Sequence, residues 1–363
     1  MRFHSLPVQV AEHLNAEIAS GRWVEYLPGE RTLAATLRVS RRTLTAALAQ
    51  LQRTGVIKSE PARGHRIVQG ATGKPASVAR LIGLLTPEPL DSMRPGTTLW
   101  VNDLQALLGE ANFRLNLFHG QKYVAQQSGR ALAKLVAGNP QACWLLAGTP
   151  EPTQRWFARE KVPAIIAGTR HAGIALPDVD LDFFALGRHV AGRLAAHRHR
   201  QAALLLSHAP GYFMSEADTE RGFRDVFEKA GGQAVILYHE RTREGLARAL
   251  RRLFTTREHV TALVVVNSLD YLTATSFLAQ RGLRVPQDVA VIARNDDAFM
   301  SALLPEPTRY HASPHVIARR IFKLLMQVAE GETPPTAHVR IMPAFIAGES
   351  LSTAPAVSGA APS

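Results

Sequence analysis

Seven short apolar runs, separated by segments of helix length, constrain the fold of most of this chain. Each run is apolar through its length, which is typical of strands buried on both faces of a parallel sheet covered by helices. They span a region of about 270 residues, which is more than one sheet usually needs, so the pattern predicts an α/β domain with two lobes. The runs are Leu81–Leu85, Ala142–Leu146, Ala164–Ala167, Ala202–Leu206, Ala234–Leu237, Ala262–Val266 and Val289–Ile292, and the helical segments include Phe184–His197, Thr219–Ala230, Gly245–Phe254 and Tyr271–Arg281.

The first 70 residues follow another pattern, that of short amphipathic helices and a hairpin. Ser40 is a good N-cap, because its hydroxyl accepts a hydrogen bond from the next turn. The turn that follows carries Arg41, Arg42 and Thr43, which are the cations and hydroxyl that a helix entering a DNA major groove requires. The predicted apolar faces are Val10, Leu14 and Ile18; Leu33, Ala34 and Leu37; and Leu44, Ala47, Leu48 and Leu51; the predicted strands are Val56–Ile57 and Arg66–Val68.

This region resembles the winged helix-turn-helix of GntR-type bacterial transcription regulators, in the strings LPGERTLAATLRVSRRTLTAALAQLQRTGVI and ARGHRIV. It departs from that family at Gly29, where a Ser cap is usual, and at Arg38, which holds a turn position often occupied by Gly. The alternative is a basic, solvated helix without a nucleic acid partner. The DNA-contacting residues that the resemblance implies are Arg31, Ser40, Arg41, Arg42, Thr43, Arg63, Gly64 and His65.

Charge and composition agree with a polyanion partner but do not identify it. The net charge is +12, and residues 1–70 hold ten Lys/Arg against five acids. The single cysteine, Cys143, excludes an intramolecular disulfide and fits a reducing compartment. We see neither a secretion signal nor an apolar run of the ~18–20 residues that a membrane helix needs. These features predict a soluble, cytoplasmic protein without a membrane partner.

The composition divides the chain into segments. Residues 1–70 form the predicted winged helix-turn-helix, and residues 71–79, rich in Gly, Pro and small residues, form a linker. Residues 80–350 form the predicted two-lobed domain. Residues 351–363 are rich in Ala, Ser, Pro and Gly, which predicts a disordered tail.

The two-lobed region resembles the effector domain of LacI/GalR regulators, which is similar to periplasmic sugar-binding proteins. The strings that carry this resemblance are ADTERGF (217–223), GLRVPQDVAVIARNDD (282–297) and PAFIAGESL (343–351). A GntR-like head on such a body is similar to arabinose-repressor-type regulators. The resemblance implies that the chain crosses between lobes near Asp182, Thr308 and His338, with a ligand in the cleft at the carboxyl ends of the strands.

The residues that the resemblance places in this cleft depart from the sugar-binding pattern. Asn295 stands where the family usually has Asp, Ala293-Arg294 replaces Gly-Phe, and Thr219 falls where a ligand-binding Arg is expected. A different or modified sugar, or another small polar molecule, is therefore the predicted effector. For each position, a helix cap, a strand-end hydrogen bond or a core aromatic is the alternative. The predicted effector-binding residues are Trp100, Asn102, Thr219, Arg221, Asn267, Tyr271, Asn295 and Asp296.

The sequence carries no recognisable catalytic, cofactor or metal motif, so we predict neither an enzyme nor a cofactor. Asp178, Asp180 and Asp182 alternate but lack the glycine and the distal Glu of a calcium loop. The predicted function is a ligand-responsive transcription regulator. It would be a repressor and a homodimer that binds a palindromic double-stranded DNA operator and a sugar-like effector. The alternative is a cytosolic small-molecule binding protein with a basic interaction module.

Overall fold

The computed structural model describes residues 6–19, 23, 25–37, 39–53, 55–60, 64–68, 80–207, 214–240, 242–256, 260–331 and 337–355. The chain forms two compact units, Met1–Arg80 and Leu81–Ser363, which we call the N-terminal and C-terminal units. The predicted linker at 71–79, Arg38, Arg63 and most of the predicted tail lie outside the described residues. Within the described ranges, no helix is long and apolar enough to cross a membrane.

The N-terminal unit is a small helical bundle with a hairpin. Its elements are α1 (Leu6–Ala19), α2 (Glu30–Thr36), α3 (Arg41–Arg53), β1 (Ile57–Glu60) and β2 (Gly64–Ile67), with β1 and β2 antiparallel. Gly29 occupies the N-cap of α2, as its place in the sequence predicts. The apolar faces predicted for the three helices meet in one core, which confirms their spacing. That core includes Val10, Leu14, Leu33, Leu44, Leu48, Leu51, Ile57 and Ile67.

The C-terminal unit alternates strands and helices. Its strands are β3 (Arg80–Thr86), β4 (Phe113–His119), β5 (Cys143–Ala147), β6 (Ala164–Ala167), β7 (Asp178–Leu181), β8 (Gln201–Ser207), β9 (Gln233–His239), β10 (Ala262–Val265), β11 (Ala290–Ala293), β12 (Thr308–His311), β13 (His338–Ile341) and β14 (Ala344–Ile346). Its helices are α4 (Pro95–Glu110), α5 (Gly129–Gly138), α6 (Glu151–Arg159), α7 (Phe183–Ala196), α8 (Met214–Phe227), α9 (Arg243–Thr256), α10 (Ser268–Gln280) and α11 (Pro314–Ala329).

Two six-stranded sheets define two lobes. The sheet of lobe 1 has the order β13-β7-β6-β5-β3-β4, and that of lobe 2 has the order β14-β12-β11-β10-β8-β9. The described registers are parallel except that of β14, which is antiparallel to β12. All seven apolar runs lie on strands of these sheets. The prediction of a two-lobed α/β fold with parallel sheets is therefore confirmed.

Each sheet is buried on both faces, which explains why the central strands are apolar throughout. In β5, Cys143 and Leu145 face a core shared with α4 and α11, whereas Trp144 and Leu146 face a core shared with α5 and α6. Burial raises the pKa of the Cys143 thiol to about 12, so this cysteine is inert. Gly83 on β3 is required here, because a Cβ at this position would lie 2.7 Å from the Trp144 ring.

The chain crosses between the lobes at three places. The first crossing leads from β7 into α7 at Asp182, whose carboxylate accepts a hydrogen bond from the Ala185 amide at 2.8 Å and caps the helix. The second lies between β12 and α11, and the third between β13 and β14. The second and third crossings thus come a few residues after Thr308 and His338, where the resemblance places them.

Candidate functional site

The N-terminal end of α3 presents two exposed cations. Arg41 and Arg42 are both exposed, and the Ser40 hydroxyl accepts a hydrogen bond from the Thr43 amide at 3.1 Å. Ser40 Oγ also lies 2.8 Å from Thr43 Oγ1, so the cap and the first-turn hydroxyl form one local pair. Arg31 is exposed on α2. Because a helix N-terminus carries a partial positive charge and this one also presents two exposed arginines, this end suits a phosphate.

The hairpin corrects one DNA-contact prediction. Along β2 the side chains alternate, so His65 turns inward and is only 9% exposed. Its Nε2 lies 3.0 Å from Glu30 Oε1, and its Nδ1 lies 3.5 Å from Gln52 Nε2. His65 therefore ties the hairpin to α2 and α3, and its ring is buried in place of the exposed position that a phosphate contact requires. Gly64, in contrast, is exposed with a φ of +90°, a conformation that favours glycine.

Arg66 is a surface cation that is absent from the DNA-contacting residues implied by the family resemblance. It faces outward on β2 directly opposite Lys58 on β1, and both are exposed. Its nearest described acid is Glu60, at 3.5 Å. Strand alternation is the signal that identifies it, since Arg66 and His65 must lie on opposite faces.

A cavity of about 260 Å³ lies between the two lobes of the C-terminal unit. We call it the inter-lobe cavity. It opens at the carboxyl ends of β6 and β7, where open α/β sheets place ligands. Lobe 1 contributes polar side chains from these strand ends and from β13, whereas lobe 2 contributes the start of α7 and the middle of α8. Its lining includes Thr169, Arg170, Asp180, Phe183, Arg221 and Arg340.

A fully buried carboxylate fixes the lobe 1 wall of this cavity. Asp178 is 0% exposed and accepts hydrogen bonds from Arg170 Nε at 3.1 Å and from Arg340 Nη1. His338 Nδ1 lies 2.5 Å from the same carboxylate. Because one buried acid binds both guanidinium groups, the cations at the cavity wall are held in place.

Asp180 is the second acid of this wall, and it is half-buried. Its carboxylate accepts hydrogen bonds from Thr169 Oγ1 at 2.7 Å and from the Leu181 amide at 2.8 Å. Burial nevertheless raises the pKa of this carboxyl to about 6. The cavity therefore contains a carboxyl whose pKa is raised above the usual range of aspartate.

Two predicted aromatic contacts are corrected by the structure. Trp100 is 8% exposed and lies with Leu104 and Leu108 on the face of α4 that packs in the lobe 1 core. Tyr271 is 2% exposed and lies on the face of α10 that packs in the lobe 2 core. Their helical spacing directs both rings toward a sheet, which supports the alternative of a core aromatic at each position. Asn102 lies on the exposed side of α4.

The polar residues predicted at the strand ends have partners within the fold. Asn267 Oδ1 accepts a hydrogen bond from the Leu269 amide at 2.9 Å and caps α10. Asn295 Nδ2 donates to the Val266 carbonyl at 2.9 Å. Asp296 accepts from Arg309 Nε at 2.8 Å and lies at the same distance from His311 Nδ1. These contacts match the alternatives to ligand binding, a helix cap for Asn267 and strand-end hydrogen bonds for Asn295 and Asp296.

Arg221 is the predicted effector residue that lines the inter-lobe cavity. Its Nη2 lies 2.9 Å from Asp218 Oδ1, and its guanidinium lies over the Phe184 ring at 5.0 Å. Thr219 is buried instead, and its hydroxyl accepts a hydrogen bond from Arg294 Nη1 at 3.0 Å. In the sequence, Arg294 is only a departure from the sugar-binding pattern, but the structure brings it into contact with Thr219.

Comparisons with known proteins agree with both units. Residues 6–67 match the family described as bacterial regulatory proteins, gntR family, and residues 191–351 match the periplasmic binding protein-like domain. The chain therefore joins a GntR-family helix-turn-helix domain to a periplasmic-binding-protein-like domain.

A curated relative is the HTH-type transcriptional regulator CelR of Thermobifida fusca, which is 28% identical over 198 residues. That match covers 53% of this chain and spans 57% of the relative's length.

Solved structures share the fold. The transcriptional regulator CelR in complex with cellobiose superimposes with a TM-score of 0.66 at 21% identity, covering 89% of this chain and 100% of that one. A LacI family transcriptional regulator from Bifidobacterium animalis gives a TM-score of 0.67 at 20% identity, covering 77% of this chain and 100% of that one.

Proposed function

We propose that this protein is a transcription regulator that binds operator DNA through its N-terminal unit and a small polar effector through its C-terminal unit. The observation that carries the proposal is the exposed pair Arg41 and Arg42 at the capped start of α3, within a winged helix-turn-helix. In such a scaffold this helix end lies in the major groove, where arginines bind phosphates or guanine edges.

The DNA contacts divide by chemistry. Arg31, Arg41 and the outward cations of the hairpin, Lys58 and Arg66, bind phosphates in this proposal. Arg42 and Thr43 lie near the bases. A bidentate contact from arginine to guanine is worth ~1–3 kcal/mol of discrimination, whereas each phosphate contact adds to the salt dependence of binding.

The effector in this proposal is a small polar molecule, possessing hydroxyl groups that match the polar lining of the inter-lobe cavity. Carboxylates, guanidinium groups and the Phe183 and Phe184 rings together suit a hydroxylated ring compound. The cellobiose bound by the structural relative supports a sugar. In this proposal the protein is a cytoplasmic repressor. It acts as a homodimer, because a two-fold symmetric protein matches a palindromic operator.

Ligand control requires that the effector bind two conformations with different affinity. The inter-lobe cavity meets that requirement in this proposal, since closure of the lobes changes its walls. The three crossing segments, at Asp182, after His311 and after Ile341, are the places where the lobes can rotate.

The test is selection of bound duplexes from a random-sequence library with the purified protein at ~150 mM salt. Recovery of an inverted repeat supports a sequence-reading dimer and supplies a probe for screening effectors. Arg42→Ala should then relax preference at one position in each half-site, whereas Arg53→Ala, an exposed cation at the far end of α3, serves as the matched control.

Sequence-independent, salt-labile binding would contradict the proposal and favour the alternative, a small-molecule binding protein with a basic interaction module. Because some regulators bind DNA only with their effector, the selection is repeated with a mixed pool of sugars and sugar acids. If neither selection recovers a preferred duplex, the proposal of a sequence-specific transcription regulator is rejected.

A further inference from the structure

Arg294 is a buried cation at the carboxyl end of β11, where the described lobe 2 strands approach lobe 1. The residue is 2% exposed and follows the last residue of the strand. Its Nη1 donates to Thr219 Oγ1 at 3.0 Å and to the Ser215 carbonyl at 3.2 Å, both on α8. The Phe183 ring covers the guanidinium at 4.7 Å. Two neutral acceptors and an aromatic ring therefore hold this charge.

No carboxylate among the described residues forms an ion pair with Arg294. Glu216 is buried nearby on α8, but its two oxygens accept hydrogen bonds from the Ser207 amide at 2.9 Å and the Ser207 hydroxyl at 2.8 Å. Asp180 acts on Arg294 only as a weaker, longer-range charge. A buried cation without an adjacent counter-ion is unfavourable, so this site is electrostatically incomplete.

The lack of an adjacent counter-ion also affects the pKa of Arg294. Burial, together with the positive charge of Arg94 in lobe 1, lowers it to about 9, and Glu216 and Asp180 offset only part of this effect. An anion placed beside the guanidinium would oppose both causes. The electrostatics therefore favour a negatively charged ligand over a neutral one.

One edge of the Arg294 guanidinium, which we call the uncommitted edge, has no hydrogen-bond partner among the described residues. The Nε atom is buried without a hydrogen-bond partner, and the described residues provide no hydrogen bond to Nη2. The Nε and Nη2 hydrogens point in parallel, which is the geometry that binds a carboxylate or a phosphate through two oxygens. Thr219 and Ser215 occupy Nη1 and so orient this free edge.

The position of Arg294 connects this edge to the inter-lobe cavity. Phe183 both covers the guanidinium and lines that cavity. Asp180 also lines it and acts electrostatically on Arg294. A ligand in the cavity thus lies within one side-chain layer of the uncommitted edge.

We propose that Arg294 recognises a negatively charged group, a carboxylate or a phosphate, on the effector of this domain. The inference rests on the proposed function and names its ligand class: a small hydroxylated molecule that carries one anionic group. The polar side chains that line the cavity bind the hydroxyls, and Arg294 binds the anion. Neutral sugars of the same shape leave the buried cation uncompensated.

The experiment compares matched ligands by isothermal titration calorimetry with the purified full-length protein. Glucuronate and galacturonate form the carboxylate arm, glucose 6-phosphate and galactose 6-phosphate form the phosphate arm, and glucose and galactose are their neutral partners. We expect an anionic member to bind at least tenfold more tightly than its neutral partner. The arm in which this occurs identifies the anion.

Variants assign the effect to the guanidinium. Arg294→Gln should weaken anion binding at least tenfold, and Arg294→Lys should weaken it less, since a lysine retains the charge but not the two-donor edge. The control Arg284→Gln removes a cation that is exposed and paired with Asp288, and it should leave the affinity unchanged.

Two results overturn the inference: no anion binds the wild-type protein more tightly than its neutral partner, or folded Arg294→Gln binds the anion as well as the wild type does. The comparison of ligands needs no variant, so it decides the question even if Arg294→Gln does not fold. Duplex selection on the same protein separates the two proposals. An inverted repeat together with preference for a neutral sugar rejects this inference alone.

Discussion

The carbonyl oxygen of Phe184 on α7 lies so close to Gly222 on α8 that a Cβ at residue 222 would be 2.1 Å from it. The contact is reciprocal, because a Cβ at Gly187 on α7 would lie 2.3 Å from the Thr219 carbonyl oxygen. Two glycines thus allow the backbones of α7 and α8 to touch. This contact sets the position of Thr219 and Phe183, two of the three residues that hold Arg294.

Gly222→Ala should destabilise the C-terminal unit by about 1–3 kcal/mol, because the added methyl collides with backbone and cannot be relieved by a side-chain rotation. Denaturation followed by circular dichroism measures the free energy of unfolding. Gly192→Ala is the matched control on α7, since a Cβ there meets nothing within 4 Å. It should be neutral or stabilising by up to about 1 kcal/mol. Equal effects of the two changes would contradict a close helix contact.

Removal of Arg41 should weaken DNA binding and make it less dependent on salt. The residue is exposed at the start of α3, and each lost phosphate contact lowers the slope of log K against log salt by about 0.9. Fluorescence anisotropy with a labelled duplex at several salt concentrations measures this slope for Arg41→Ala. Arg53→Ala should keep the wild-type slope, and a slope shared by both variants would remove Arg41 from the interface.

His65→Ala should act through stability rather than through a DNA contact. Its ring is buried against Glu30 and Gln52, so truncation leaves a polar site incompletely paired and costs about 1–3 kcal/mol. Thermal unfolding of the N-terminal unit measures the loss, and the salt slope of the folded variant should not change. Arg66→Ala should show the opposite pattern, with a reduced slope and a stability change within about 1 kcal/mol. A reduced slope for His65→Ala would restore it as a phosphate ligand.

Asp180 should make stability depend on pH between about 4 and 6. Its folded pKa is raised from 3.8 to about 6, so the folded protein binds this proton more tightly than the unfolded chain does. Through this group, wild-type stability falls as pH rises from about 4 to 6, by an amount on the order of 3 kcal/mol. Asp180→Asn does not titrate, so its stability relative to the wild type should rise by that amount over the same interval.

Urea denaturation at a series of pH values measures the Asp180 effect. Asp288→Asn is a control of opposite sign, because Arg284 lowers the pKa of the partly exposed Asp288 to about 2. Its stability relative to the wild type should decrease as pH rises between about 2 and 4. A flat difference between Asp180→Asn and the wild type would show that this carboxyl is not buried.

Three strands, β7, β12 and β13, are not among the seven apolar runs and show where the apolar pattern fails. β7 and β13 carry Asp178 and Arg340, and β12 carries Arg309, because these strands supply the buried ion pairs and the cavity wall. A pattern that seeks continuous apolar runs passes over them. The partners that make such charges tolerable come from distant parts of the chain, as in the pairing of Asp178 with Arg340.

The candidate site residues also divide into those whose exposure is set by local sequence and those whose exposure is set by tertiary contacts. Arg41 and Arg42 were predictable because capping and helical spacing are local, so neighbours in sequence decide which side chains are exposed. His65 and Arg66 are adjacent, and only the register of the hairpin decides that the first is buried and the second exposed. Likewise, helical phase against a sheet turns Trp100 and Tyr271 into core residues.

The sequence by itself determined the two kinds of domain, the buried strands and the basic start of α3, because burial on both faces and helical periodicity leave a local imprint. Only the tertiary structure decided what surrounds Arg294. Its partners, Thr219 and Phe183, come from two helices far from it in the chain, and the contact depends on a backbone approach that two glycines permit. Electrostatic environment is a property of atoms brought together in space, and sequence spacing does not encode it.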